Sequence, residues 1–232
     1  MARAEAAAPE EAATTSTRRQ RTRERLLDAA FDLFAEEGFE AASIEAICER
    51  AGFTRGAFYS NFADKAELFI TLAAREHRRR MTELRDAIAA GLPGLDPGRE
   101  LDLDAIGRIV AHLLGAISDD RRWRLLRAEF DLVVMRHPEI AADYVARDQT
   151  LMDELADEID RLAELLGRRL LIPARGLVRL LNSGYLADLR LADLCGGTPG
   201  APTAPELAAQ WLPVVAERLT EPLAAPGRNA PG

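Results

Sequence analysis

The stretch from Ser43 to Lys65 constrains this chain more than any other. It reads Ser-Ile-Glu-Ala-Ile-Cys-Glu-Arg-Ala-Gly-Phe-Thr-Arg-Gly-Ala-Phe-Tyr-Ser-Asn-Phe-Ala-Asp-Lys, and its spacing predicts two short helices across a tight turn. Ser43 is placed to cap the first helix, Ile44, Ile47, Cys48 and Ala51 recur at helical intervals, and Gly52 supplies a residue of positive φ past its end. Thr54 opens the second helix. Ala57, Phe58 and then Phe62 fall on its apolar side, leaving Thr54, Arg55, Gly56, Tyr59 and Asn61 to point outward. This is a helix-turn-helix pattern with an outward set suited to DNA.

Each outward residue has a chemical reason to be there. A guanidinium at the position of Arg55 can fork onto guanine O6 and N7 or rest on a phosphate. Gly56 leaves room for backbone to approach a groove. The hydroxyls of Ser43, Thr54 and Tyr59, the Asn61 amide and the ammonium of Lys65, the only lysine in the chain, are backbone-positioning groups. The competing reading makes all of these solvated surface and helix caps, and for Ser43 and Thr54 one hydroxyl can serve both ends.

The order of these residues, together with Phe34-Ala-Glu-Glu-Gly38-Phe39 before them and Lys65-Ala-Glu-Leu68-Phe69 after, resembles the DNA-binding domain of TetR/AcrR-type repressors from about Arg23 to Phe69. One position departs: many members carry histidine where this chain has Asn61. The resemblance implies an all-α chain with an N-terminal three-helix DNA-binding domain and a C-terminal helical domain for ligand binding and dimerisation. It also implies partners: a palindromic double-stranded operator, a small-molecule effector and a second copy of the chain.

Composition agrees with an all-helical protein. Hydrophobic residues make up 48% and charged residues 29%, and no apolar run approaches the ~18 residues of a membrane span. Without a hydrophobic leader the expected location is the cytoplasm. Cys48 and Cys195 then read as reduced packing thiols. The net charge of −8 is unusual for a DNA binder and makes charge placement decisive. Asp28, Asp32 and Glu36 form one acidic stripe and Glu45 with Glu49 another, while basic residues gather at Arg18 to Arg25, Arg55 and Lys65. No catalytic template, metal-ligand spacing or cofactor motif is present, so neither an enzyme nor a cofactor is expected.

Residues 1–16 and those after Glu221 are expected to be disordered tails, with the DNA-binding domain at 17–65 and the effector domain at 66–220. Within the latter, helices are expected to about Ala90, over 101–117, from Ser118 to Arg136, from His137-Pro138 to about Leu170, from Pro173 to Leu194, and from Pro205 to Leu219 with a bend at Pro213. The large side chains on the middle helices, Trp123, Phe130, Val134, Tyr144 and Met152, with His112 as a polar handle, are candidates to line an apolar effector cavity. Ordinary core is the alternative for each. Leu181, Gly184 and Tyr185, with Trp211 and Val215, form a candidate dimer face, Gly184 allowing close approach of a helix. The expected function is a ligand-responsive transcriptional regulator, a repressor released from its operator, with the fourth helix as lever. A sequence-tolerant architectural DNA binder and a helical enzyme or carrier with a vestigial DNA module are the alternatives.

Overall fold

The computed structural model describes residues 8–92, 105, 108–109, 112–113, 121–196, 198 and 200–223, the stretch 8–16 as backbone only. Its elements are α1 (Ala8–Glu37), α2 (Ile44–Ala51), α3 (Arg55–Tyr59), α4 (Lys65–Ala89), α5 (Arg121–Arg136), α6 (Pro138–Leu165), β1 (Arg168–Leu170), α7 (Ala174–Cys195), α8 (Ala204–Ala208), α9 (Leu212–Arg218) and β2 (Thr220–Pro222). They form two compact units, Met1–Glu76 with Asp119–Arg147, and His77–Ser118 with Asp148–Gly232.

In the first unit, the α1 stripe of Leu26, Leu27, Ala30, Leu33 and Phe34 is buried against Ile47, Cys48 and Ala51 of α2, Phe58 of α3, and Leu68, Phe69 and Leu72 of α4. The same core takes Trp123, Leu126, Phe130, Val133 and Val134 from α5. Aromatic packing fixes the junction: the Phe69 and Phe130 rings stack with centroids 3.7 Å apart, and Phe39 meets Phe130 edge-on at 4.9 Å. α5 is therefore part of the DNA-binding unit, and the boundary expected at residue 65 does not describe this packing. The acidic stripe of α1 is consumed inside the unit, with Asp28 paired to Arg75, Asp32 to Arg122 and Glu36 to Arg50. α1 itself begins at Ala8, within the segment expected to be a disordered tail. Alanine and glutamate sustain a helix there without an apolar stripe.

The second unit has smaller clusters, one around Met81, Leu84, Leu92, Ile109 and Leu113 and one around Ala156, Ala174 and Val178. Most of the helix expected over 101–117 and the start expected at Ser118 lie outside the described residues. α6 stops at Leu165 instead of running to Leu170, because Gly167 adopts φ +66°, a left-handed conformation that glycine reaches without a Cβ penalty. The chain then enters β1, which pairs antiparallel with β2 in the register Arg168↔Pro222, Arg169↔Glu221, Leu170↔Thr220. The final helix is two helices, not one bent one. Thr203 and Glu206 form a reciprocal capping box that opens α8, and Pro213 sits in the first turn of α9, where its missing N–H costs nothing.

Candidate nucleic-acid interface and interior cavity

α2 and α3 are built by their caps. Ser43 Oγ accepts from Ala46 N at 3.0 Å, Thr54 Oγ1 accepts from Ala57 N at 3.3 Å, and Gly52 takes φ +70° with its N–H bonded back into α2. α3 then leaves Thr54, Arg55, Gly56 and Tyr59 exposed, with Phe58 fully buried beneath them. Arg55 pairs with Glu45 at 2.7 Å, both side chains more than half exposed, a solvated pair that costs little to exchange for another anion. A Cβ on Gly56 would meet nothing nearer than Thr54 Oγ1 at 3.7 Å, so nothing within the chain demands glycine there. Cys48 lies behind this surface, where burial first and Glu45 second push its thiol up. It is free, as is Cys195.

Two expected DNA contacts are engaged elsewhere. Asn61 is 8% exposed; its Nδ2 donates to Ala57 O at 2.8 Å and its main-chain carbonyl accepts from Arg23 at 2.6 Å. The turn after α3 folds this side chain back onto the helix it ends, so it does not face outward. Lys65 Nζ donates to the carbonyls of Phe39, Glu40 and Ala42 at 2.6, 3.1 and 2.9 Å and lies 4.6 Å from the Phe39 ring. Burial pushes this ammonium below the ordinary lysine value against the opposing pull of Glu40 and Glu129. All of its donors are committed to the loop before α2, which makes Lys65 a clamp, not a free phosphate contact.

Glu129 holds the same loop from α5: its carboxylate accepts from Phe39 N at 2.8 Å. At Gly38 φ is +87°, which favours glycine, and a Cβ would come within 2.8 Å of Glu129 Oε1 and displace that carboxylate from Phe39 N. Nothing in the sequence signals a partnership across 90 residues. The basic stretch before the first predicted helix is likewise partly structural. Arg23 lies 4.4 Å from the Phe62 ring centroid, Arg25 donates to Ala51 O at 2.7 Å, and Arg19 donates to Ser60 O at 3.3 Å. Arg18 and Arg21, exposed on the same turns, make no side-chain bond among the described residues.

The second unit contains a partly open cavity of about 230 Å³. Leu84 and Ile88 of α4, Leu155 and Leu162 of α6, and Leu177 and Val178 of α7 supply apolar wall, with Glu158, Arg168, Asn182, Tyr185 and Thr220 as its polar groups. None of the six residues expected to line a cavity is among them. Trp123, Phe130 and Val134 are buried in the first unit's core, and Tyr144 packs against that core and donates to Asp131 at 2.6 Å. Met152 packs on the Ala156 cluster, and His112 is exposed with Nε2 3.4 Å from Ala87 O.

The candidate dimer residues also face inward. Leu181 and Tyr185 line the cavity, and the Trp211 ring presses on Gly184, where a Cβ would lie 2.6 Å from it. Trp211 Nε1 donates to Asp188 at 2.7 Å. Gly184 thus admits a tryptophan of its own chain in place of a partner helix. Val215 is half-buried.

A capped helix-turn-helix presenting an exposed polar helix, followed by a helical unit, is the architecture of a DNA-binding regulator. Residues 26–72 match the family model described as bacterial regulatory proteins, tetR family. The HTH-type transcriptional regulator AcrR of Shigella flexneri is 28% identical over 78% of this chain and 85% of its own. The HTH-type transcriptional repressor AcnR of Corynebacterium diphtheriae is 27% identical over 62% and 66%. Among solved structures, Salmonella enterica GusR superposes with a TM-score of 0.53 at 25% identity, covering 81% of this chain and 93% of that one. Residues 26–72 therefore carry a tetR-family DNA-binding domain, and over most of its length the chain is similar to TetR/AcrR-type transcriptional regulators. No helix among the described residues is long and apolar enough to cross a membrane.

Proposed function

We propose that this chain is a homodimeric repressor that reads a palindromic operator through α3 and releases it when a small apolar molecule fills the second unit's cavity. The carrying observation is the α3 surface, whose exposed residues are Thr54, Arg55, Gly56 and Tyr59 while its apolar residue is sealed in the core. Arg18 and Arg21 add cations on α1 that have no side-chain partner among the described residues, beside the arginine that bonds the end of α3. Phosphate attraction by these groups offsets the acidic net charge locally. AcnR, named a repressor, supports this sign of regulation, whereas the relative FasR of Mycolicibacterium smegmatis is named an activator.

A gel-mobility assay of the full chain against its flanking genomic DNA tests this reading. A discrete complex that survives random competitor DNA is expected, on half-sites whose recognition helices sit roughly 34–36 Å apart or a multiple of it. Equal displacement by random DNA would favour the architectural alternative. Arg55→Ala is expected to lose about 1–3 kcal/mol of discrimination at particular base pairs. Because it also unmasks Glu45, the measurement is made beside Arg55→Ala with Glu45→Gln, and loss shared equally by specific and random DNA would reduce Arg55 to a phosphate contact.

Dimerisation is assigned to the outer face of α7. Leu180, Ser183, Ala187, Leu191 and Leu194 are exposed on it at helical spacing, Leu194 to 74%, a stripe one position removed from Leu181 and Gly184. Leu191→Glu buries two carboxylates in a symmetric contact and is expected to cost about 3–5 kcal/mol of association. Light scattering should then show a monomer with poor operator affinity. A persistent dimer would move the interface elsewhere.

Release of DNA follows from linkage: a ligand that favours one arrangement of the dimer weakens operator binding by the factor by which operator weakens the ligand. α4 is the proposed lever, since Lys65 at its start clamps the loop before α2 and Leu84 and Ile88 near its end line the cavity.

A further inference from the structure

The cavity walls are apolar, but their charges are not balanced. Glu158, 7% exposed, accepts from Arg85 Nε at 3.1 Å and from Arg161. Two cations therefore serve one anion. Burial pushes this carboxyl up, yet the hydrogen bonds from Arg161 and Arg85 outweigh it and hold the group below the ordinary glutamate value. The acid is ionised and already satisfied, so it offers little to a cationic ligand.

Arg168 is in the opposite position. It sits on β1, where alternation sends Arg168 and Leu170 to the cavity and Arg169 away from it. The outward arginine is paired with Glu221. The inward one donates only to Thr220, from Nε to Oγ1 and from Nη2 to the carbonyl at 3.1 Å, and no carboxylate pairs with it among the described residues. A guanidinium carries five N–H donors, so Arg168, a lining residue of the cavity, retains donors beyond the two bonded to Thr220. The Asn182 side chain, also on the wall, makes no hydrogen bond among the described residues. The volume of about 230 Å³ is below the ~300–1,000 Å³ of drug-sized pockets, which favours a single slender chain over a fused-ring compound.

We propose, building on the effector reading of this cavity, that its ligand is a slender apolar molecule bearing one carboxylate, seated with that carboxylate on Arg168 and Asn182. An anion brought into an apolar cavity needs charge-assisted hydrogen bonds to offset its desolvation. Arg168 supplies them without first breaking an ion pair. An uncharged ligand of equal length leaves those donors without an anion, and a cationic one adds a like charge.

The test is calorimetric titration of the full chain with three ten-carbon probes below their micelle concentrations: decanoate, decanol and decylammonium. Decanoate is expected to bind at least about tenfold more tightly than decanol, and decylammonium more weakly than either. Arg168→Gln is expected to bring decanoate down to the decanol level, and Arg168→Lys, which keeps charge without the fork, to fall between. Leu162→Trp, filling the cavity, is expected to abolish all three. The head-group ranking is read on the unaltered protein, so it stands even if Arg168→Gln weakens the β1–β2 pair. Equal binding of the three probes, with Leu162→Trp still abolishing it, would overturn the carboxylate assignment and leave an effector cavity. No binding of any probe, or binding indifferent to Leu162→Trp, would overturn both.

Discussion

Phe130→Ala is expected to unfold the DNA-binding unit, not to alter a ligand response. The ring is fully buried, stacks on Phe69 and meets Phe39 edge-on, and both of those residues flank the helix-turn-helix. Removing such a side chain costs about 3–5 kcal/mol, a large share of the roughly 5–15 kcal/mol that holds a domain together. Operator binding is expected to disappear along with the protected environment of Trp123, which stacks 6.0 Å from Phe69. In a Trp211→Phe background, the emission of Trp123 during urea titration measures the loss directly. A variant that keeps both its midpoint and its operator affinity would show that the aromatic junction contributes nothing.

Lys65→Met is the second large effect. It keeps an unbranched side chain one atom shorter but removes three hydrogen bonds to the 39–42 loop. Hydrogen bonds to a charged group contribute about 1.5–3 kcal/mol each, and because these share one ammonium their loss is expected to total about 3 kcal/mol. With that loop released, the start of α2 is no longer fixed and specific binding should fall at least about tenfold. The slope of affinity against salt separates this from a phosphate contact. It should stay unchanged, whereas removal of a phosphate-bound cation lowers it by about one unit.

The parts of this molecule that were legible in the sequence are those governed by neighbours in the chain. Ser43, Gly52 and Thr54 cap α2 and α3 as their residue types require, because a cap is decided within four residues. Phe130 and Trp123 read from the sequence as candidates to line an effector cavity, with ordinary core as the alternative, because periodicity reports which face of a helix is covered and not what covers it. Their partners, Phe69 and Phe31 among them, come from the far end of the sequence. Arg168 was invisible for the same reason: its chemistry depends on a three-residue strand paired with another some fifty residues on. Leu181 and Gly184 illustrate a finer limit, since α7 is apolar on two adjacent faces and spacing alone does not say which one meets a partner.

The compact unit that carries the helix-turn-helix is discontinuous: the chain leaves it after Glu76 and returns for Asp119–Arg147, while the family match ends at residue 72. The portable stretch of sequence and the portable stretch of structure are therefore different objects. A chimera joined just beyond the matched segment would inherit every residue of α3 and still lack the ring that closes on Phe69 and the carboxylate that holds Phe39. To transplant the reader onto another regulator, the graft must carry α5 as well, or land on a host whose equivalent helix presents an aromatic residue and an acid one position apart. That requirement restricts which crossovers between related regulators can yield a working hybrid, whether arranged at the bench or arising by recombination.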